Sequence, residues 1–219
     1  MSATEEDLRR EIVAASRRMI DAGLSQGTSG NISVRCGNAM LITPSAVPAG
    51  DLTPGMIVRM RLDAEDGQWE GKLRPSTEWP FHRAILRERP EFGAVVHTHS
   101  PHATALAIAR KPIPPCHYMI AVFGGDDVRV ADYATFGTEA LSQAALRALA
   151  GRNACLLANH GAIAAGPDLT GAMWLADELE TLARQYCLSL AIGGPVLLGA
   201  AELAETAAAI TGYGAGARD

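Results

Sequence analysis

The sequence predicts a single α/β domain over residues 1–219, and three observations carry that expectation. Segments with apolar residues at helical spacing alternate with short runs of β-branched and apolar residues. At 219 residues, 48% hydrophobic and 20% charged, the chain has a globular composition and the length for a sizeable core. No linker, repeat or low-complexity stretch is long enough to divide it.

Each element has its own local reason. Residues 4–22 read as a helix: Thr4 and Asp7 have capping spacing, Leu8, Ile12, Met19 and Ile20 share a face, and Gly23 stands at the stop. "NISVR" (31–35) and "AMLIT" (39–43) read as strands joined by a hairpin turn at "CGN". "IVRMRL" (57–62) is a third strand, ending in the turn-rich "DAEDG". A helix over 78–89, a strand over 93–99 and a helix over 101–110, opened by Pro101, follow. Residues 138–150 read as helix and "ACLLA" (154–158) as a buried strand. A long helix over 168–192 carries Trp174, Leu175, Leu179, Leu182 and Tyr186 at helical spacing, and a last helix spans 200–211.

Bulk properties exclude several functions. A net charge of −5 with no basic cluster argues against a nucleic-acid or anionic-membrane partner. The N-terminal "MSATEEDLRREIV" has no apolar signal region, and Leu188–Leu203 is too short and too interrupted to span a bilayer. Cys36, Cys116, Cys155 and Cys187 lack C-x-x-C spacing, which suits free thiols in a reducing cytoplasm.

The chemistry centres on "VVHTHSPHA" (95–103). Side chains alternate along a strand, so His97 and His99 project to one side. For an isolated H-x-H the commoner explanation is a pair of hydrogen-bonded histidines at a sheet edge, so a metal needs a third ligand from elsewhere. His160, in "LLANHGAIAAG", follows a strand directly and is the candidate. Three imidazoles with an open position is a catalytic Zn²⁺ arrangement. His82, one turn after Glu78, and His102, which opens a helix, read as surface or hydrogen-bonded residues; His117 is a third competitor.

In "QGTSGNIS" (26–33), Gly27 and Gly30 allow close backbone approach while Thr28, Ser29 and Asn31 offer donors. That suits a phosphate nest, although a helix C-cap and loop explains the same residues. "TPSA" (43–46) and "RPSTEW" (74–79) are two further hydroxyl-bearing loops able to close on one anion. Glu78 fits an early helix residue favoured by the helix dipole, with Ser76 or Thr77 as cap. Beside a divalent metal, the same carboxylate can move a proton to and from carbon.

Together, "GLSQGTSGNISVR", "LITPS", "GKLRPSTEW" with the "FH" after it, "AVVHTH", "HYMIA", "YATFGT", "NHG" and the late "YG" resemble the class II sugar-phosphate aldolases of the fuculose-1-phosphate aldolase type. The resemblance spans nearly the whole chain. It implies a three-layer αβα sandwich around a mixed, largely antiparallel sheet, and a homotetramer with active sites between subunits. It implies one Zn²⁺ per chain on His97, His99 and His160, a site that Mn²⁺ or Co²⁺ also suits. It further implies Glu78 as the catalytic carboxylate and substrate phosphate on the loops carrying Thr28, Ser29, Gly30, Asn31, Ser45, Ala46, Ser76 and Thr77.

By the same resemblance Tyr118 of a neighbouring subunit is the proton donor to the aldehyde oxygen, and Tyr213 closes the site from the C-terminal tail. The implied reaction is retro-aldol cleavage of a ketose 1-phosphate to dihydroxyacetone phosphate and an aldehyde. Where the fuculose-type enzymes have Thr-Gly and Ser-Ser-Glu, this chain has Ser45-Ala46 and Ser76-Thr77-Glu78. A Cβ at a left-handed position is costly, so the phosphate loop is expected to sit differently. A 5-deoxy- or 5-methylthio-pentulose 1-phosphate is then an option beside L-fuculose 1-phosphate. Ribulose-phosphate 4-epimerases share the histidines but carry Asp in place of Glu78, and methylthioribulose-phosphate dehydratases break a C–O bond. The non-enzymatic adducin head lacks the metal ligands that this chain retains.

Overall fold

The computed structural model describes residues 3–64 and 67–212. Seven strands form one sheet: β1 (Asn31–Cys36), β2 (Ala39–Ile42), β3 (Val58–Arg61), β4 (Ala94–Thr98), β5 (Arg129–Ala131), β6 (Ala154–Leu157) and β7 (Gly161–Gly166). Their order is β3-β2-β1-β4-β7-β6-β5. Only the β5–β6 pair is parallel, so the sheet is mixed and largely antiparallel, as expected.

Period-two alternation divides the strand residues between two cores. Ile32, Val34, Leu41, Val96, Leu156 and Ala164 face helices α1 (Glu5–Asp21), α3 (Pro101–Ile108) and α5 (Leu169–Ala191). Met40, Ile42, Val95, Leu157 and Ile163 face α2 (Trp79–Glu88) and α4 (Glu139–Ala148). These are the three layers. Each large apolar side chain taken fully from water contributes about 1.5–3 kcal/mol, so both faces of the sheet are sites of stabilisation. A sixth helix, α6 (Ala200–Gly212), follows α5.

Local signals act where the sequence places them. Thr4 and Asp7 close a reciprocal capping box on α1, a device worth about 1 kcal/mol. Element ends differ from the sequence expectation by one or two residues. Two strands were not anticipated. β5 has only three residues and lies at the sheet edge. β7, "GAIAAG", is central yet poor in β-formers, because α5 packs closely on it: a Cβ on Gly166 would lie 2.6 Å from the backbone nitrogen of Ala172. None of the four cysteines is in a disulfide. Among the described residues no helix is long and apolar enough to cross a membrane.

Candidate active site

The start of β1 and the end of β4 lie side by side, with Asn31 opposite His97. The turn of residues 158–160 joins β6 to β7 beside them, and Asn159 takes a left-handed conformation there (φ 56°). His97 comes from β4, His99 from just beyond its end and His160 from that turn. Their ring centroids are 4.8, 4.8 and 5.0 Å apart. One ligand nitrogen from each lies within 4.8 Å of the other two.

The hydrogen bonding leaves these nitrogens suited to a cation. His97 Nδ1 donates to the carbonyl of Ala162 at 2.9 Å, so its Nε2 is bare in the neutral ring. That Nε2 stands 3.0 Å from Nε2 of His99. Imidazole nitrogens around a tetrahedral Zn²⁺ stand about 3.3 Å apart, given Zn–N bonds of about 2.0–2.1 Å. Burial foremost, then the neighbouring imidazoles of His97 and His160, pushes His99 down to about 4 against the opposing pull of Glu78. His99 is therefore a neutral donor at pH 7.

Glu78 completes the cluster. It occupies the N-cap position of α2 without capping it; its carboxylate turns inward instead. Oε2 lies 3.2 Å from His97 Nε2, and Oε1 lies 3.2 Å from His160 Nε2. Asn31 Nδ2 donates to Oε2 at 2.9 Å. Oε1 is buried and accepts no hydrogen bond, an orphaned oxygen that a bound cation would satisfy. Burial by itself would raise this carboxyl; the neighbouring imidazoles of His97 and His160 and the amide of Asn31 outweigh it and hold the group below the usual carboxylate range.

Gly161 matters because of what stands over it. A Cβ there would lie 2.4 Å from the Thr98 carbonyl and 2.9 Å from His99 Cδ2. Gly161→Ala is expected to push His99 out of line and weaken metal binding about 10–100-fold, measured by competition with a chelator.

The hydroxyl-bearing loops gather at the other side of Asn31. A small cleft is lined by Gly27, Thr28, Ser29, Gly30, Asn31 and Thr43. Gly30 has φ 80°, and a Cβ on it would meet Ser25 Oγ at 2.5 Å and the His97 carbonyl at 3.0 Å. Ser45 N donates to Arg74 O and Ser76 N to Thr43 O, both at 3.0 Å, which joins the 43–46 and 74–79 loops. Ser76 Oγ accepts from Glu78 N at 3.3 Å, linking these loops to the carboxylate. Thr77 is exposed, with its carbonyl close to Gly137.

Comparison with known proteins decides the family. Residues 10–187 match the model of the class II aldolase and adducin N-terminal domain. The chain is 50% identical over 207 residues to a 5-methylthioribulose-1-phosphate/5-deoxyribulose-1-phosphate aldolase of Rhodospirillum rubrum, covering 94% of this chain and 92% of that protein. It is 48% identical over 189 residues to the L-fuculose phosphate aldolase of Escherichia coli K12, covering 86% of each. A solved L-fuculose 1-phosphate aldolase superposes with a TM-score of 0.90 at 37% identity, over 96% of this chain and 98% of that one. The chain belongs to the class II aldolase and adducin family.

It is a class II aldolase, a carbon–carbon lyase for a phosphorylated sugar in a family that works with a divalent metal. In this aldolase Ala46 does keep the left-handed backbone, with φ 59°. The substitution therefore strains the loop where a glycine would not. Ala46 is exposed, so Ala46→Gly is expected to stabilise the fold by about 1 kcal/mol in a denaturant titration.

Other residues fall elsewhere. Tyr118 begins a 3-10 turn (Tyr118–Phe123), its ring against His117, and lines a groove of about 450 Å³ with Met119, Val122, Trp174 and Ile210. Tyr213 lies outside the described residues. His102 Nδ1 is paired with Glu180 at 2.7 Å, and His117 Nδ1 accepts from Met119 N, so both are satisfied away from the triad. His82 is the surprise. It is fully buried and bonded to Asn31 and Ser33. The sequence places His82 four residues after Glu78 and puts Asn31 and Ser33 on one strand face, but the contacts between them span about fifty residues and have no local signal.

Proposed function

We propose that this aldolase cleaves a 5-deoxy- or 5-methylthio-pentulose 1-phosphate, with L-fuculose 1-phosphate as the second substrate reading. The observation that carries the reaction is the buried Glu78 carboxylate 3.2 Å from the Nε2 atoms of His97 and His160, beside a cleft of backbone and hydroxyl donors. Relatives of both substrate types support the pair of readings; the pentulose one extends over more of the chain, 94% against 86%.

His97, His99 and His160 would hold one Zn²⁺, in keeping with three nitrogen donors and an open position; Mn²⁺ or Co²⁺ suit the same donors. When bound, the ion supplies Lewis-acid stabilisation of the negative charge that bond cleavage leaves on the three-carbon fragment. The chain's own residues do the rest. Thr28, Ser29, Gly30 and Asn31, with Ser45, Ala46, Ser76 and Thr77 on the adjoining loops, seat the phosphate by N–H and O–H donation. Tyr118 of a neighbouring subunit takes the proton from the C4 hydroxyl as C3–C4 breaks and releases it to solvent, while Glu78 takes one proton up from solvent and passes it to C3, so that the net change is cleavage alone. The products are then dihydroxyacetone phosphate and an aldehyde.

Tyr118 is exposed in the single chain, which supports a homotetramer with active sites at subunit boundaries. Tyr213 is assigned to closing the aldehyde end. Residues 1–219 are taken as one domain of this type, acting in the cytoplasm. The test is an assay for dihydroxyacetone phosphate across 5-methylthioribulose, 5-deoxyribulose and L-fuculose 1-phosphates. Highest kcat/KM on L-fuculose 1-phosphate would select the second reading. A C4 epimer or a dehydrated diketone in place of the triose would remove the aldolase reading altogether.

A further inference from the structure

We propose that His82 is a positioning residue for Glu78: its Nε2–H fixes the Asn31 amide so that the amide N–H, not the amide oxygen, faces the carboxylate. The proposal rests on the reading of Glu78 as the group that moves the C3 proton.

The geometry is a continuous buried chain. Ser33 Oγ lies 2.7 Å from His82 Nδ1, His82 Nε2 lies 2.5 Å from Asn31 Oδ1, and Asn31 Nδ2 lies 2.9 Å from Glu78 Oε2. Ser33, His82, Asn31 and Glu78 are all buried. A carboxylate only accepts, so Asn31 must present its NH₂ to Glu78 and its oxygen to His82. An amide oxygen only accepts, so His82 Nε2 must carry the proton. In the neutral ring Nδ1 is then bare and accepts from the Ser33 hydroxyl. One assignment satisfies all three contacts.

Turning the Asn31 amide over would set oxygen against carboxylate and NH₂ against the ring N–H, breaking two contacts at once. His82 holds its place because Phe81 stacks on it, with ring centroids 4.6 Å apart, and because it comes from α2, whose N-cap is Glu78. Asn31 also lines the small cleft proposed for phosphate. The chain thus ties the orientation of the carboxylate to a residue at the anion seat.

Two measurements test it. In the wild-type enzyme, ¹⁵N NMR of labelled histidine should show His82 with a protonated Nε2 and a bare Nδ1, the signal being assigned by its loss in His82→Gln. This readout needs no activity, and the variant serves only to assign the signal. The opposite tautomer, or a doubly protonated ring, overturns the proposal.

In kinetics on dihydroxyacetone phosphate hydrogen exchange, His82→Phe should lower kcat about 10–100-fold with metal content unchanged. His82→Gln should recover most of that loss, since its amide N–H can reach the Asn31 oxygen. In a Glu78→Gln background His82→Phe should add no further loss. Wild-type kcat in His82→Phe, or a loss confined to KM, overturns the positioning role while leaving Glu78 as the proton carrier. A wild-type exchange rate in Glu78→Gln removes the acid/base reading itself, and the NMR result then stands apart from it.

Discussion

His97→Ala is expected to lose both the bound divalent ion and all measurable C–C cleavage. His97 is the most deeply placed of the three imidazoles: fully buried, edge-on to Phe81 at 5.5 Å, and held by the Ala162 carbonyl through Nδ1. That bond fixes the ring and presents Nε2, so its loss removes a ligand and the element that aims it. The two remaining imidazoles come from a strand end and a turn and have no comparable anchor. Metal analysis of the purified variant, beside wild type at about one ion per chain, checks the first half of the expectation; a product assay checks the second. Full cleavage by a metal-free preparation would refute the metal reading.

The site was partly legible because its candidate metal ligands obey simple geometry. The period of two in "HTH" puts His97 and His99 together, and a histidine directly after a strand is well placed to meet them. What hid the rest was long range. His82 was indistinguishable from a surface residue until α2 was packed on the β1–β4 face, where Asn31 and Ser33 wait for it. Strand β7 was illegible for a related reason. Its two glycines answer to the close approach of α5 and of His99, which the local sequence does not encode. Tyr118 is the opposite case. The resemblance picked it out, yet in one chain it lines a groove with Trp174 and Ile210, and the role proposed for it calls for a second subunit. The Ala46 departure was legible as strain, because the backbone there is left-handed with φ 59°.

Glu78→Gln is expected to fold, to keep its metal and to lose activity by roughly 10²–10⁴-fold. Glutamine matches the shape of glutamate, and its side-chain oxygen can take over the 2.9 Å bond from Asn31 Nδ2. The three imidazoles are untouched, so a metal content near one per chain should survive. The missing property is the capacity to accept and return a proton. An amide nitrogen toward His160 cannot replace the carboxylate Oε1, which sits 3.2 Å from that ring with no hydrogen bond of its own. The charge also goes: burial disfavours an isolated carboxylate here, and it is kept ionised by His97, His160 and Asn31. Because those contacts outweigh the cost of burial, the carboxylate stabilises the fold at neutral pH, and the variant should be less stable in denaturant than the parent. The decisive readout is exchange of the C3 hydrogen of dihydroxyacetone phosphate with solvent, which needs proton transfer and no aldehyde. Exchange at the wild-type rate, with metal in place, would mean that another group carries the proton and that Glu78 only completes the charge around the ion.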